Sequence, residues 1–134
     1  MRILLDTHIL FWSMCMEEKL PQHILSWIND LENEVFFSSA SVWEIVIKHG
    51  KNPTAMPVDG NTFVSGSFKA GFTPLAIENR HVLALSGLKR KKGEPTHNDP
   101  FDRVLIAQAK TEGMTLITHD GLLVGYGERC VLTI

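Results

Sequence analysis

The chain has 134 residues, 44% of them hydrophobic, and a formal net charge of −2. That length and apolar content suit one domain, residues 1–134, with a core of its own, and they exclude wholesale disorder. The near balance of charge excludes capture of a polyanion by the field of the whole protein, so any nucleic-acid site must be a local patch.

Ile3-Leu4-Leu5 is a continuous apolar run, the pattern of a strand covered on both faces. Asp6 and Thr7 follow at once and start a helix through Ile9, Leu10, Phe11, Trp12, Met14 and Cys15. Both Trp12 and the later Trp43 lie in apolar helical runs and read as core aromatics, with base stacking as the alternative. Pro21 opens a second helix with Ile24, Leu25, Ile28 and Leu31 at helical spacing. Phe11, Trp12, Ile24, Trp27 and Ile28 read either as core or as a face for a partner. Val35-Phe36-Phe37 predicts a second strand, and Ser38, Ser39 and Ser41 offer caps for a third helix carrying Val42, Trp43, Ile45, Val46 and Ile47. Glu44 sits in that apolar company. Periodicity places it on an exposed stripe, paired with Lys48 at i,i+4; the alternative is a buried acid bound to a cation.

Residues 61–70 pattern weakly as a short helix, and Phe72-Thr73-Pro74-Leu75 predicts a strand near an edge because of Pro74. Glu78 to Leu88 predicts a helix with Val82, Leu83 and Leu85 inward. Lys89, Arg90, Lys91 and Lys92 then form the one dense basic run, read either as a phosphate-holding patch or as a solvated loop. The central helix follows, with Asp99 as N-cap, Pro100 as its first residue, Asp102 in its first turn and Val104 to Ala109 apolar on most sides. Met114 to Ile117 predicts another strand, closed by Thr118-His119-Asp120-Gly121; Gly125, Gly127 and Glu128 mark a loop; Cys130 to Ile134 predicts the last strand. This alternation argues for an α/β domain with a largely parallel sheet and helices on both faces. Cys15 and Cys130 form no C-x-x-C, which points to a reducing cytoplasmic setting. With no leader pattern and no apolar run of spanning length, no membrane contact is expected.

Asp6 and Asp120 follow buried strands, Glu44 lies in a helix after a strand, and Asp102 lies in a helix's first turn. In a parallel sheet such places converge on one edge. Four crowded carboxylates repel one another unless a cation joins them, and an all-oxygen set suits Mg2+ or Mn2+. A metal so held suits phosphodiester hydrolysis.

Four segments, Leu4-Leu5-Asp6-Thr7-His8, Ser41-Val42-Trp43-Glu44-Ile45, Asp99-Pro100-Phe101-Asp102-Arg103 and Ile117-Thr118-His119-Asp120, resemble the successive motifs of the PIN-domain family, and within it the VapC-type toxins. The resemblance covers nearly the whole chain in order. It implies a PIN-like three-layer α/β/α sandwich and a metal-dependent endoribonuclease that leaves a 5′-phosphate and a 3′-hydroxyl. By position, Asp6, Glu44 and Asp102 match the acidic triad, and Asp120 matches a less constant fourth acid. Thr7 and Thr118 match supporting hydroxyls. Asp99 is read as a cap with metal binding as the alternative, and Arg103 as a partner for a carboxylate or phosphate. His97 and His119 read either as contacts to RNA or proton carriers, or as solvated or structural residues. The resemblance also implies a small neutralising antitoxin and a homodimer. A DNA nuclease on the same metal site and a non-catalytic nucleic-acid-binding module are the competing readings.

Overall fold

In a parallel sheet a strand covered on both faces sends alternate side chains into two separate cores. The computed structural model, which describes residues 1–134, shows this division. Strands β1 (Arg2–Leu5), β2 (Glu34–Ser38), β3 (Thr73–Leu75), β4 (Thr115–Thr118) and β5 (Val131–Thr133) form one sheet in the order β3-β2-β1-β4-β5. Every pairing is parallel, so the sheet is wholly rather than largely parallel. Pro74 lies in β3, an edge strand, where a missing N–H is tolerated.

The helices are α1 (Thr7–Cys15), α2 (Gln22–Asn29), α3 (Ser39–Lys51), α4 (Gly60–Lys69), α5 (Asn79–Ala84) and α6 (Pro100–Glu112). On one face Ile3, Leu5, Val35, Phe37 and Ile117 pack with Ile9, Leu10, Ile24, Ile45 and Phe63 of α1 to α4. On the other, Leu4, Phe36 and Leu116 pack with Leu105, Ile106 and Ala109 of α6 and with Leu123 and Tyr126. Three layers result, as the sequence predicts. Helix α6 is buried on most sides: Val104 to Ala109 are all enclosed, Gln108 among them with its amide hydrogen-bonded, and Gly113, at φ 68°, ends the helix in the left-handed conformation that glycine adopts without strain.

Some expectations need correction. The segment read as one helix over 78–88 is α5 followed by a 3₁₀ turn, Leu85–Gly87. Of the residues read as inward, Leu85 packs against the core, while Val82 and Leu83 are 50% and 75% exposed; the buried residues are His81 and Leu88. The loop marked by glycines begins as a 3₁₀ segment, Gly121–Tyr126, that contributes Leu123 and Tyr126 to the core. Leu31 is wholly exposed and Trp43 is 57% exposed, so neither is core. Ile24 is core, while Phe11, Trp12, Trp27 and Ile28 are partly buried against it. The large exposed apolar side chains of α3 and α4 are Trp43, Val46 and Phe68.

Candidate active site

Strand order reverses at β1: the chain runs outward through β2 and β3, then returns to place β4 on the other side. The carboxyl ends of β1 and β4 therefore flank the switch point, where open α/β sheets leave a crevice. Asp6 follows β1 directly, and its N–H donates to the Ile117 carbonyl at 3.0 Å, which ties it to β4. Asp6 Oδ1 accepts from the Ile9 N–H at 3.1 Å and so caps α1. The other oxygen, Oδ2, accepts from the Thr118 hydroxyl at the end of β4. Thr118 Oγ1 in turn accepts from the Asp120 N–H at 3.0 Å. One hydroxyl thus sets both strand-end acids.

Ser38 caps α3 through the Ala40 N–H, and the second turn of that helix carries Glu44 inward. Glu44 is buried, against the expectation of an exposed stripe, though its pairing with Lys48 is present: Oε2 is 2.7 Å from Lys48 Nζ. Its other oxygen, Oε1, accepts from the Thr7 hydroxyl at 2.6 Å, and that hydroxyl lies 3.0 Å from Ser41 Oγ. Asp99 Oδ1 accepts from the N–H groups of Phe101 and Asp102, at 2.9 and 3.0 Å, and caps α6 as read. Asp102, in the first turn, lies 3.1 Å from His97 Nε2 through Oδ2. Asp120 caps the 3₁₀ segment through the Leu122 N–H at 2.9 Å.

These side chains line one notch of about 480 Å³, formed by Asp6, Thr7, Glu44, Asp99, Asp102 and Asp120 together with His8, Trp12, Lys48, His119 and Gly121. The crowding has an electrostatic consequence. Burial, then the charges of Asp99, Asp6, Glu44 and Asp120, push the Asp102 carboxyl up to about 8. Burial also raises Asp6, against the lowering effect of the Thr118 hydrogen bond. A divalent cation would remove the mutual repulsion, and the hard carboxylate oxygens fit magnesium or manganese. His97 Nε2 and carboxylate oxygens of Asp102 and Asp120 lie within 4.8 Å of one another. A second trio, Glu78, His81 and Glu112, differs: His81 Nδ1 accepts from the Glu78 N–H at 2.9 Å, Nε2 is 2.8 Å from Glu112, and Arg80 also pairs with Glu112. This trio is a helix cap that already holds its own cation, Arg80.

Other expected residues lie outside the notch. Arg103 donates to the Leu85 carbonyl at 3.1 Å and ties α6 to the turn after α5, rather than meeting a carboxylate. Lys89, Arg90, Lys91 and Lys92 do not line the notch. Arg90 donates through Nε to the Pro95 carbonyl at 2.8 Å and through a terminal nitrogen to the Leu122 carbonyl at 2.6 Å, over the Tyr126 ring. Two of its three nitrogens are thus spent on backbone carbonyls, the other terminal nitrogen is buried without a partner, and a β-carbon at Gly125 would collide with the guanidinium. Lys89, Lys91 and Lys92 are exposed.

Sequence reasoning underused Lys48, Trp12, His8 and the Asp102 contact of His97. The signals were present: His8 and Trp12 are one turn apart on the helix that Asp6 caps, and His97 precedes a capped helix start closely enough to fold back on it.

The PIN domain family model matches residues 3–124. The chain belongs to the PIN domain family. No curated protein matches its sequence. Among solved structures, this PIN chain is similar to one in VapBC2 from Rickettsia felis bound to a DNA fragment from its promoter, with TM-score 0.69 and 15% identity over 100% of this chain and 98% of that one. It is similar also to one in a toxin-antitoxin complex from Klebsiella pneumoniae, with TM-score 0.62 and 19% identity over 98% and 96% of the two chains. A third likeness is to a chain of FitAcB from Neisseria gonorrhoeae, with TM-score 0.60 and 20% identity over 98% and 96%. At these identities the likeness is one of fold.

Proposed function

We propose that the protein is a magnesium- or manganese-dependent endoribonuclease, the toxin of a toxin–antitoxin pair, acting in the cytoplasm. The observation that carries the reading is the convergence of Asp6, Glu44, Asp102 and Asp120 on one notch at the sheet's switch point. Membership of the PIN family and the toxin–antitoxin assemblies among its structural neighbours support it.

Asp6, Glu44, Asp102 and Asp120 would hold the metal, with Asp99 beside them as the α6 cap. When bound, the ion lowers the pKa of a water and offsets the charge that builds on the phosphate during in-line attack. The chain's own residues do the rest. Thr118 aligns the Asp6 carboxylate and holds the Asp120 backbone, the Leu122 N–H sets the Asp120 carboxylate, and Thr7 aligns Glu44. His97 fixes the rotamer of Asp102. Lys48, now on Glu44, supplies a cation at the rim within reach of an approaching phosphate. Lys89, Lys91 and Lys92, exposed and outside the notch lining, would hold the RNA backbone.

A small antitoxin and a second copy of this chain are the partners this reading includes. Trp43, Val46 and Phe68 offer them exposed apolar surface.

The test is cleavage of matched RNA and DNA oligonucleotides by the purified protein, with manganese and with excess chelator. RNA cut only with metal supports the proposal. Preferential cutting of DNA would transfer the same site to the other substrate. Undiminished cutting in chelator, or no cutting of either, would refute it.

A further inference from the structure

The notch poses a binding problem. Five carboxylates, Asp6, Glu44, Asp99, Asp102 and Asp120, face it with one lysine, Lys48. A phosphodiester is repelled by that balance, and the dense basic run is not among the lining residues. The bound cation of the ribonuclease reading offsets part of that charge, and a group indifferent to charge adds affinity for the nucleotide at the reacting position without depending on it. Only one hydrophobic side chain lines the notch, the indole of Trp12.

That indole is held in place. Its base packs against the core formed under α1 to α4. His119, after β4, meets it edge-on at 4.9 Å between ring centres, and His8, one turn earlier on α1, stands at 6.0 Å and 51°. Lys19 Nζ lies over one face of the ring, 5.2 Å from its centre, so a base would take the opposite face. Three aromatic rings thus form one wall, and all three line the notch beside Asp6 and Asp120. A half-buried indole in an acid-lined crevice gives up some burial that a core position would provide. A flat π surface beside a phosphate site regains it by stacking on an unpaired base.

We infer that Trp12, flanked by His8 and His119, is a stacking subsite for the base adjoining the scissile phosphate of a single-stranded RNA. The inference rests on the ribonuclease reading and names how that site holds its substrate. Trp12 is a positioning residue: stacking is the same in the ground state and the transition state, so it acts on substrate affinity rather than on the chemical step. Every base has a π face, so the subsite by itself is tolerant of sequence.

The experiment uses the full chain with Trp27→Phe and Trp43→Phe, which leaves Trp12 as the sole indole. A single-stranded RNA of about 12 nucleotides, within the range of single-strand sites, is titrated in calcium, and indole emission is followed. The titration is repeated with RNAs carrying one abasic position at each place in turn. Emission should be quenched on binding, and one abasic position should abolish the quenching. Trp12→Leu should weaken binding roughly 5- to 100-fold and raise KM with kcat little changed, and Trp12→Phe should recover most of the loss. RNA binding with unchanged Trp12 emission, or quenching insensitive to every abasic position, would overturn the inference and leave the ribonuclease reading standing. Failure of the parent protein to bind or cut RNA would overturn both. The emission and abasic arms need no change at position 12, so they decide the matter even where Trp12→Leu misfolds.

Discussion

His97 Nε2 and Asp102 Oδ2 lie 3.1 Å apart. Tyr126 braces the same ring from its other side: its hydroxyl donates to the His97 carbonyl at 2.8 Å and lies 2.8 Å from Nδ1. The pair orients Asp102 from outside the notch, so His97→Ala should weaken manganese affinity about 10- to 100-fold. Tyr126→Phe should do so by less, since the imidazole remains. Titration of each variant with Mn2+ checks the order.

Stability without metal should depend on pH through Asp102. In the folded protein this group titrates near 8, against about 4 for an unfolded aspartate. Between those values the folded state holds a proton that the unfolded chain has released. Stability from this group is thus greatest at low pH, falls as pH rises toward 8, and is flat above. Asp6 is shifted in the same direction. Thermal melts in chelator from about pH 5 to 8.5 should show a falling Tm. Asp102→Asn should flatten the slope and raise Tm at the alkaline end. Added Mn2+ should raise the wild-type Tm most where the acids are ionised.

The basic run should divide into two kinds of residue. Neutralising Lys89, Lys91 and Lys92 should lower RNA affinity at low salt more than at high salt, each lost phosphate contact reducing the salt slope by about 0.7. Arg90→Met should instead lower stability by about 1–2 kcal/mol, because it removes donors from the Pro95 and Leu122 carbonyls. Binding measured across salt, together with thermal melts, separates the two.

The strands were legible because a doubly covered parallel strand needs an unbroken apolar run, and Ile3-Leu4-Leu5 and Val35-Phe36-Phe37 supply one. The edge place of β3 was legible from Pro74. The placement of Glu44 was not. Its burial depends on Thr7 of another helix, 37 positions away, and helical periodicity carries no information about that contact. Helix α5 was misread because its six residues are too few to define a face; His81 is inside since its ring caps the helix and meets Glu112. Trp43 was misread in the opposite sense. Helix α3 is apolar over more of its circumference than the sheet and α4 cover, and Trp43, against Phe101 at 5.0 Å, lies on the remainder. The strand-end positions of Asp6 and Asp120 followed from topology alone, whereas the hydroxyl of Thr118 that joins them needed coordinates.

Equilibrium binding of Mn2+, read from the signal of the free ion, tests most directly whether the four acids act as one cation site. The wild-type chain should bind the ion, and Asp6→Asn, Glu44→Gln and Asp102→Asn should each weaken it at least about 10-fold while circular dichroism stays unchanged. Wild-type affinity retained in all three folded variants would contradict the account.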